Sequence, residues 1–487
     1  MVPFEYWYSQ LPERFYEARG PTAFENSNIF QWNEKLAVEL GIDSEKYSKA
    51  ELALIFSGRK LQLGAKPLAQ AYSGHQFGHL SPILGDGRAL LLGELRDRTG
   101  NLRDIHLKGS GPTQFSRRGD GYANLSAGIR EYIVSEALFH LGVPSCRSLA
   151  LIETGQPVFR RTQEPGVILV RVASSHVRVG TFEYFWIRKD FEGLRILSDF
   201  VIDRHFPHIS KNTSGYLEMF REIVLRQARL VAHWTQIGFV HGVLNTDNTF
   251  VSGETLDLGP CAFMEEYNPE QVFSSIDTHG RYAFDQQPKA IQWNLAQLGS
   301  AILSFVQGDK ESLKKDIVKI IEEFEPEFES CHLKGMGKKF GIQNANESDL
   351  PLMQEFLEIL FFEKKDYTNS FRNLSGELVG STLENCDIQI KSVEYEKWLE
   401  EWKSRLKFES AALTETRDQM NRVNPKYIPR NHRIQEAIDF ALQTGNLEKF
   451  ETLLEVVIRP FDEQPENEIY ARAAGETEKV TETFCNT

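Results

Sequence analysis

The residues best suited to chemistry lie in one short stretch, residues 241–248, which reads His-Gly-Val-Leu-Asn-Thr-Asp-Asn and is soon followed by Asp-Leu-Gly at 257–259. Asn248 and Asp257 offer the amide and carboxylate oxygens that magnesium prefers. Asp247 is the only carboxylate within the stretch, so it is the candidate to accept a proton from a hydroxyl group. Its alternative role is to cap the loop backbone. The stretch therefore combines a metal site with a candidate general base.

The spacing of these residues resembles the catalytic loop of protein kinases and the metal-binding Asp-x-Gly that follows it. One position differs, because Val243 stands where a kinase has the aspartate that accepts the substrate proton. A valine side chain can neither take a proton nor orient a hydroxyl group. The chain thus keeps the means to hold metal and nucleotide but lacks the usual base for phosphoryl transfer.

A lysine and a glutamate occur in the order that kinases use to fix nucleotide phosphates. Lys108 ends a predicted strand, and Glu131 lies in the first turns of the predicted helix that follows. Most such pairs are solvated surface charges, so the pair alone is weak evidence. Its position ahead of His241 and Asp257 favours the functional interpretation.

Two arginines flank the turn at residues 173–176. Arg171 interrupts an otherwise apolar strand, and Arg178 follows the turn. A buried guanidinium without an anion is costly, so Arg171 must meet one. The anion is either a structural carboxylate or a nucleotide phosphate.

Two segments are dense in glycine, which lets backbone N–H groups approach phosphate oxygens. The first is Gly-Asp-Gly-Arg at 85–88, and the second is the loop 109–121. A β-hairpin turn and a surface loop are the simpler interpretations. The second loop also contains Arg117, Arg118 and Asp120, which a turn alone does not require. His75 and His79 are predicted to pack in a turn rather than to bind metal, because glycines interrupt any helix there.

The composition predicts a soluble protein of two or three packing units. The chain has 487 residues, of which 41% are hydrophobic and 25% charged, and no run approaches the ~20 apolar residues of a membrane helix. The N-terminus lacks the features of a secretory or organellar signal, so we expect a cytoplasmic protein. The net charge of -14 argues against a nucleic-acid partner. The five cysteines, too scattered for a disulfide framework or a zinc site, are Cys146, Cys261, Cys331, Cys386 and Cys485.

Strands are predicted in the first half of the chain and helices in the second. The predicted strands are at 89–92, 105–107 and 167–173, and the predicted helices are at 30–40, 126–141 with Ser126 as N-cap, 219–237 and 290–305. Residues 310–460 are predicted to be mainly helical, and the stretch from 463 is polar.

The chain is similar to the selenoprotein-O (YdiU) family of kinase-like protein adenylyltransferases over nearly its whole length. The ordered blocks that carry the resemblance are 85–88, 107–113, 119–121, 129–132, 171–182, 241–248 and 424–427.

The resemblance implies an α+β, bilobal protein-kinase-like fold with an added N-terminal segment and a helical C-terminal extension. The implied divisions are 1–65, the N-terminal segment; 66–180, the N-lobe; 181–308, the C-lobe core; 309–462, the helical extension; and 463–487, the polar tail.

It also implies that ATP binds in a flipped orientation, so that AMP passes to a Ser, Thr or Tyr hydroxyl of a protein substrate and pyrophosphate leaves. A monomer using Mg²⁺, or Mn²⁺, is expected. The implied roles are Asp247 as proton acceptor, Asn248 and Asp257 on the metal, Lys108 paired with Glu131, and Gly85, Gly87, Arg88, Asp120, Gly121, Arg171, Arg178 and Asp257 around ATP.

The resemblance extends to the C-terminus, where some members of the family have selenocysteine third from the end and this chain has Cys485. A redox role for Cys485 is therefore expected. The internal partner cysteine of some bacterial relatives corresponds to Phe273 or a serine here, which places a regulatory disulfide in doubt, with Cys261 as a substitute. Two other functions remain open from the residues: an ATP-binding pseudokinase scaffold, and a conventional kinase in which Asp247 replaces the missing base.

Overall fold

The computed structural model describes residues 2–160, 162–380, 390 and 392–483. In this part of the chain, eight strands form one antiparallel sheet in the order β1-β3-β6-β7-β10-β9-β2, with β8 paired to β10, and two small hairpin-like pairs, β4-β5 and β11-β12, lie outside it. The strands are β1 Tyr16–Ala18, β2 Asn28–Trp32, β3 Leu68–Gln70, β4 Gly74–Gln76, β5 His79–Ser81, β6 Ala89–Arg96, β7 Leu102–Lys108, β8 Ala123–Asn124, β9 Arg147–Phe159, β10 Gln163–Ala173, β11 Phe239–Val240 and β12 Ala262–Phe263.

Helices pack on both faces of the sheet and make up most of the remaining chain. They are α1 Glu34–Glu39, α2 Lys49–Phe56, α3 Leu125–His140, α4 Val179–Ile187, α5 Phe191–His205, α6 Thr213–Gln236, α7 Gln287–Phe305, α8 Lys310–Glu322, α9 Phe324–Lys339, α10 Leu350–Phe362, α11 Tyr367–Leu374, α12 Val393–Leu406, α13 Leu413–Asn421, α14 Asn431–Thr444 and α15 Glu448–Val457.

Three large cores hold these elements together. One face of the sheet, α3, and helices α4 to α7 share a continuous core with α14 and α15. The other face of the sheet packs on α1 and α2. A third core, rich in aromatic side chains, joins α9 to α13. The N-terminal segment therefore covers the back of the sheet, while the last two helices return to its front.

Local sequence explains why the elements near the site begin where they do. The side chain of Asn212 accepts from Gly215 N and caps α6, whose buried face includes Met219, Ile223 and Val231 at helical spacing. Helix α6 leads directly into β11 and then His241. In the loop, His241 N donates to Gln287 Oε1 over 2.9 Å, which ties the loop to the start of α7.

Most of the elements predicted with bounds are confirmed, with two corrections, and several others were not predicted. The predicted helix 30–40 is wrong at its start, because residues 28–32 pair with β9 as strand β2 and the helix begins only after Asn33 caps it. The N-cap of α3 is Asn124 rather than Ser126, whose hydroxyl instead donates to Glu164. Strand β9 was not predicted; Gly155 and Pro157 interrupt its outer half.

The structure presents no helix long and apolar enough to cross a bilayer within the residues it describes.

Candidate functional site

A central cleft of about 1050 Å³ opens where the sheet meets the helical part of the chain. The structure places in its lining every residue predicted from sequence except Cys485, which lies outside the described residues. These lining residues are Gly85, Gly87, Arg88, Lys108, Asp120, Gly121, Glu131, Arg171, Arg178, Asp247, Asn248 and Asp257.

Two carboxylates and two cations form a buried network at the base of the cleft. Glu131 of α3 accepts from Lys108 Nζ over 2.6 Å with one oxygen and from Arg171 Nε with the other. Asp257 Oδ1 accepts from Arg171 Nη2 over 2.7 Å and lies 3.5 Å from Lys108 Nζ. Arg171 thus meets the carboxylates that its buried position in β10 requires, and Glu131 is confirmed as the partner of Lys108.

The charges of this network set the ionisation of its members. Burial opposes the charged form of Asp257, but Arg171, Lys108 and Arg178 outweigh it and hold the pKa of Asp257 well below its usual range. Burial lowers the pKa of Lys108, with Arg171 adding to the effect and Glu131 opposing it. Asp257 is consequently a carboxylate at neutral pH, and the base of the cleft is a compact set of alternating charges.

Arg178 links the stretch 241–248 to the glycine segment at 85–88. Its guanidinium lies 4.2 Å from the centroid of the Tyr72 ring, and Nη1 donates to the backbone oxygen of Asp247 over 3.0 Å. Nη2 lies 3.6 Å from Asp86 Oδ1. Asp86 is almost fully buried and accepts from Gln70 N over 3.0 Å, so it anchors both Arg178 and the glycine segment. Sequence reasoning treated Gly-Asp-Gly as a turn and so gave Asp86 no role of its own.

Asp247 lines the cleft, and one of its carboxylate oxygens has no hydrogen-bond partner in the described chain. Its Oδ2 accepts from Gln76 Nε2 over 3.2 Å, whereas its buried Oδ1 has no hydrogen-bond partner. Burial raises the pKa of Asp247 to about 7. Gly74 of β4 lies so close that any side chain there would overlap the Asp247 carboxyl. An orphaned, buried carboxylate oxygen is the arrangement expected where a hydroxyl group must dock.

Two neighbours of Asp247 differ in chemistry, because Val243 is apolar and Asn248 carries an amide. Val243 is buried and bonds only through its backbone: its oxygen accepts from Asn248 Nδ2 over 3.0 Å, and its N donates to His241 Nδ1 over 3.4 Å. That bond leaves the Asn248 amide oxygen for another partner. Within the described residues, no three His, Cys, Asp or Glu side chains group as a metal site. An amide and one carboxylate, Asp257, instead match a metal that takes its remaining ligands from phosphates and water.

The glycine-rich loops pack against one another at the mouth of the cleft. Gly121 has a φ of +74°, and a side chain there would overlap the backbone of Gly111 and Pro112. Asp120 is held by a bidentate ion pair with Arg160 at 2.8 and 2.9 Å. Gly85 and Gly87 lie against the segment that contains Phe115. The loops are therefore built parts of the cleft wall rather than free surface turns.

Two further residues hold the loop and were missed from sequence. Glu183 of α4 is buried and accepts from the Thr246 hydroxyl, and His75 Nδ1 lies 2.5 Å from its other oxygen. His75 is thereby a packed histidine, as predicted, whereas His79, predicted to pack as well, is exposed; the two lie on β4 and β5 on either side of the turn. Gln76, which contacts Asp247, had no signal in the sequence because its partner is 171 positions away.

The C-terminal segment reaches the same cleft. Thr483 N donates to Phe273 O over 2.7 Å, and its hydroxyl donates to Pro260 O. The segment thus passes beside Cys261, a buried thiol whose pKa burial raises to about 12.

Comparison with known proteins identifies the family. A family model described as "Protein adenylyltransferase SelO" matches residues 1–458. The chain belongs to the SelO family of protein adenylyltransferases. It is 46% identical to a "Protein nucleotidyltransferase YdiU" of Rhizobium leguminosarum bv. trifolii, over 100% of this chain and 97% of the relative. Relatives of the same name from Bradyrhizobium sp. (strain ORS 278) and Agrobacterium fabrum are each 44% identical, over 100% of this chain and 99% and 100% of their own lengths.

Membership of the SelO family makes the chain a nucleotidyltransferase enzyme that acts on proteins. The family name implies ATP as the nucleotide substrate, and adenylyl transfer ordinarily uses a divalent metal. Cations, carboxylates and glycine-rich loops converge in the central cleft.

Proposed function

We propose that the central cleft transfers AMP from ATP to the hydroxyl group of a Ser, Thr or Tyr side chain in a protein substrate, and that Asp247 is the base. The unpartnered, buried Oδ1 of Asp247 supports this role most directly. The bond from the acceptor oxygen to the α-phosphorus forms, the bond from that phosphorus to the bridging oxygen breaks, and pyrophosphate leaves. The hydroxyl proton passes to Asp247.

Lys108, Arg171 and Arg178 are the proposed phosphate-binding residues. They converge on the base of the cleft, where fixed positive charge stabilises the charge that develops on departing pyrophosphate. Gly85, Gly87, Arg88, Asp120 and Gly121 line the mouth and are proposed to enclose the rest of the nucleotide.

Asn248 and Asp257 would hold the metal, Mg²⁺ or Mn²⁺, through the free amide oxygen and the ionised carboxylate. When bound, such an ion neutralises phosphate charge. Asp257 has a φ of +58°, a left-handed conformation that aims its carboxylate back toward Arg171 and Lys108.

A bilobal, kinase-like arrangement accounts for the order of the elements. Strands β3 to β10 with α3 correspond to an N-lobe at about 66–180, and α4 to α7 to a C-lobe core at about 181–308, while the segment 1–65 adds strands β1 and β2 to the sheet. The segments 1–65, 309–462 and 463–487 are proposed additions to it. The lysine from β7, the glutamate from α3 and the aspartate after the loop meet at the junction, as that arrangement requires.

Position-specific labelling of ATP tests this function. The purified protein is incubated with Mg²⁺, an acceptor protein and ATP labelled at either the α- or the γ-phosphate, and the label on protein is followed. We expect α label only, lost in Asp257→Ala and reduced about 100-fold or more in Asp247→Asn, because general-base catalysis contributes on this scale. Transfer of γ label would establish a kinase instead, and ATP binding without transfer would establish a pseudokinase scaffold.

A further inference from the structure

A second cleft of about 780 Å³, here called the side cleft, lies beside the loop that carries Asp247. The first turns of α7 and the segment before it form its walls. Lys289 and Trp293 are four residues apart on α7, so both side chains face the same way. The lining residues are Glu270, His279, Gly280, Arg281, Ala283, Asp285, Gln286, Lys289, Ala290 and Trp293.

Arg281 is the most constrained charge of the side cleft. Its guanidinium lies 4.9 Å from the centroid of the Trp293 ring, and its Nε is buried without a hydrogen-bond partner. Burial raises the pKa of Tyr282 to about 12, and the nearby guanidinium of Arg281 opposes that rise. Across the described ranges, neither Arg281 nor Lys289 forms an ion pair with a carboxylate. A guanidinium fixed on an aromatic face and lacking an anion is prepared to bind one.

The backbone that carries Arg281 is rigid. Asp277, which is nearly buried, accepts from Arg281 N over 2.9 Å and from Tyr282 N over 2.8 Å. The Tyr282 hydroxyl donates to Asn245 Oδ1 over 2.7 Å, within the catalytic-loop stretch. Arg281 is therefore held in fixed register with the loop of Asp247.

The β4-β5 hairpin contacts both Arg281 of the side cleft and Asp247. Its turn residue Gly78 faces Arg281: a Cβ at this position would lie 3.5 Å from the guanidinium carbon. Its other turn residue, Phe77, lines the central cleft and donates from its N to Asn245 Oδ1 over 3.1 Å. Gln76 contacts Asp247 itself. A polypeptide with its hydroxyl at Asp247 can therefore pass over the hairpin and place a neighbouring side chain in the side cleft.

We propose that the side cleft binds the acceptor protein next to the modified hydroxyl and that Arg281 selects an Asp or Glu side chain there. The inference rests on the proposed function, because it takes Asp247 as the point where the hydroxyl docks. The side cleft also contains Glu270 and Asp285, so the complement to a carboxylate is local. The Arg281 guanidinium, unpaired with any carboxylate in the described chain, supplies the positive charge with Lys289 nearby, and Trp293 supplies an apolar wall for the aliphatic part of the ligand. The partner is an acidic segment of a substrate polypeptide.

Paired peptides test the proposal. Each fluorescent peptide has a central Thr, and each pair differs only in having Asp or Asn at one scanned position. Binding is measured by anisotropy, and transfer with α-labelled ATP. We expect at least one position at which the Asp peptide binds about tenfold more tightly than its Asn counterpart, or about 1.4 kcal/mol. Arg281→Gln should abolish that difference and leave the Kd for ATP unchanged.

Two variants make the test specific. Arg195→Gln removes an exposed arginine on α5 that pairs with Asp199, and it should keep the full Asp preference. Arg281→Lys retains the positive charge but not the bidentate fork of the guanidinium, so this variant should keep only part of the Asp preference. Equal binding of Asp and Asn peptides at every position by the unmodified protein would overturn the proposal. An Asp preference that depends on Arg281, without any transfer of label, would support docking and contradict the proposed function instead.

Discussion

At the scale of single residues, comparison with Glu136 on the same helix separates the functional role of Glu131 from its contribution to stability. Glu131 joins Lys108 to Arg171 at the base of the central cleft. Glu136, one turn and a residue later on α3, is equally buried and pairs with Arg147 over 2.8 Å, but it does not line the cleft. The two carboxylates therefore share burial, helix and ion pairing, but the cations of Glu131 face the cleft and Arg147 does not.

Replacement of Glu131 by Gln should impair nucleotide binding as well as stability. Either Glu131→Gln or Glu136→Gln leaves a buried cation uncompensated, which costs ~3–5 kcal/mol of unfolding free energy. Only Glu131→Gln should also weaken ATP binding, because it frees Lys108 and Arg171 from their common anchor. Calorimetric titration with ATP at a temperature where both variants are folded would distinguish them. Equal ATP affinity in the two variants would show that Glu131 is structural only.

Lys339 offers a test of pH dependence away from the cleft. It ends α9, is 3% exposed, and lies 4.1 Å from the centroid of the Phe371 ring. Burial lowers its pKa to about 7 from the ordinary 10.5. Between pH 7 and pH 10.5, Lys339 is protonated in the unfolded chain but largely neutral in the folded chain. The free energy of unfolding therefore rises with pH over this range.

Lys339→Met should therefore stabilise the protein most near neutral pH. Below pH 7 the folded protein carries the full cost of a buried ammonium, and the methionine removes it, a gain on the order of 4 kcal/mol at pH 7. The gain should shrink toward zero as the pH approaches 10.5. Denaturant unfolding across this range measures it, with Lys338→Met as control, since Lys338 is the exposed neighbour on the same helix. A gain independent of pH would contradict the stated cause.

At the scale of elements, the last two helices hold α3 against the sheet. Phe450 of α15 meets Tyr132 of α3 edge-on, with ring centroids 5.7 Å apart. Arg130 Nη1 donates to Asn431 Oδ1 of α14 over 3.1 Å. Since α3 carries Glu131, the C-terminal helices fix the position of a residue in the central cleft.

Phe450→Ala should consequently lower activity beyond its effect on stability. A buried Phe→Ala change costs ~3–5 kcal/mol. Phe356→Ala, in the aromatic core of α9 to α13, is the matched control, because Phe356 is also fully buried but does not contact α3. Assays of kcat/KM for ATP under folding conditions should show a deficit only in Phe450→Ala. The same deficit in both variants would mean that α15 acts through global stability alone.

The sequence predicted elements well where their pattern is local. The apolar run at 89–92 and the amphipathic period of α6 are short-range signals, and both elements are confirmed. Phe30 and Trp32 also fit helical spacing, yet pairing with β9, more than a hundred residues away, made them a strand. No local pattern carries that information.

At the scale of the whole molecule, the same distinction separates the predicted site from its missed parts. Residues such as Lys108 and Asp257 were found because their order along the chain is characteristic, and the structure brings them to one cleft. Asp86, Gln76 and Glu183 act through partners far away in sequence, so only the fold reveals them.

The C-terminal segment is the part of the cleft wall farthest in sequence from the glycine-rich loops. After α15 it runs along Glu265 and Glu266, with Ala474 N donating to Glu265 Oε2 over 3.0 Å and Lys479 Nζ 2.8 Å from Glu266 Oε1. It then joins the segment after the Asp-Leu-Gly turn, and residues 479–483 line the central cleft. A wall of the cleft is thus built from the end of the described chain.

Thr483→Pro should detach this wall and weaken ATP binding. Proline lacks the N–H that donates to Phe273 O, and the same substitution removes the hydroxyl that donates to Pro260 O. Because about two hydrogen bonds of ~1 kcal/mol each are lost, we expect the Kd for ATP to rise several-fold. The amide of Ser275 donates to Thr483 O, so its hydrogen exchange should also become faster. Thr481→Pro is the control for a proline in the same part of the wall: Thr481 also lines the cleft, but it is exposed and its N–H has no hydrogen-bond partner in the described chain, so no bond is lost. Faster exchange at Ser275 with an unchanged Kd would show that the segment covers the cleft without contributing to nucleotide affinity.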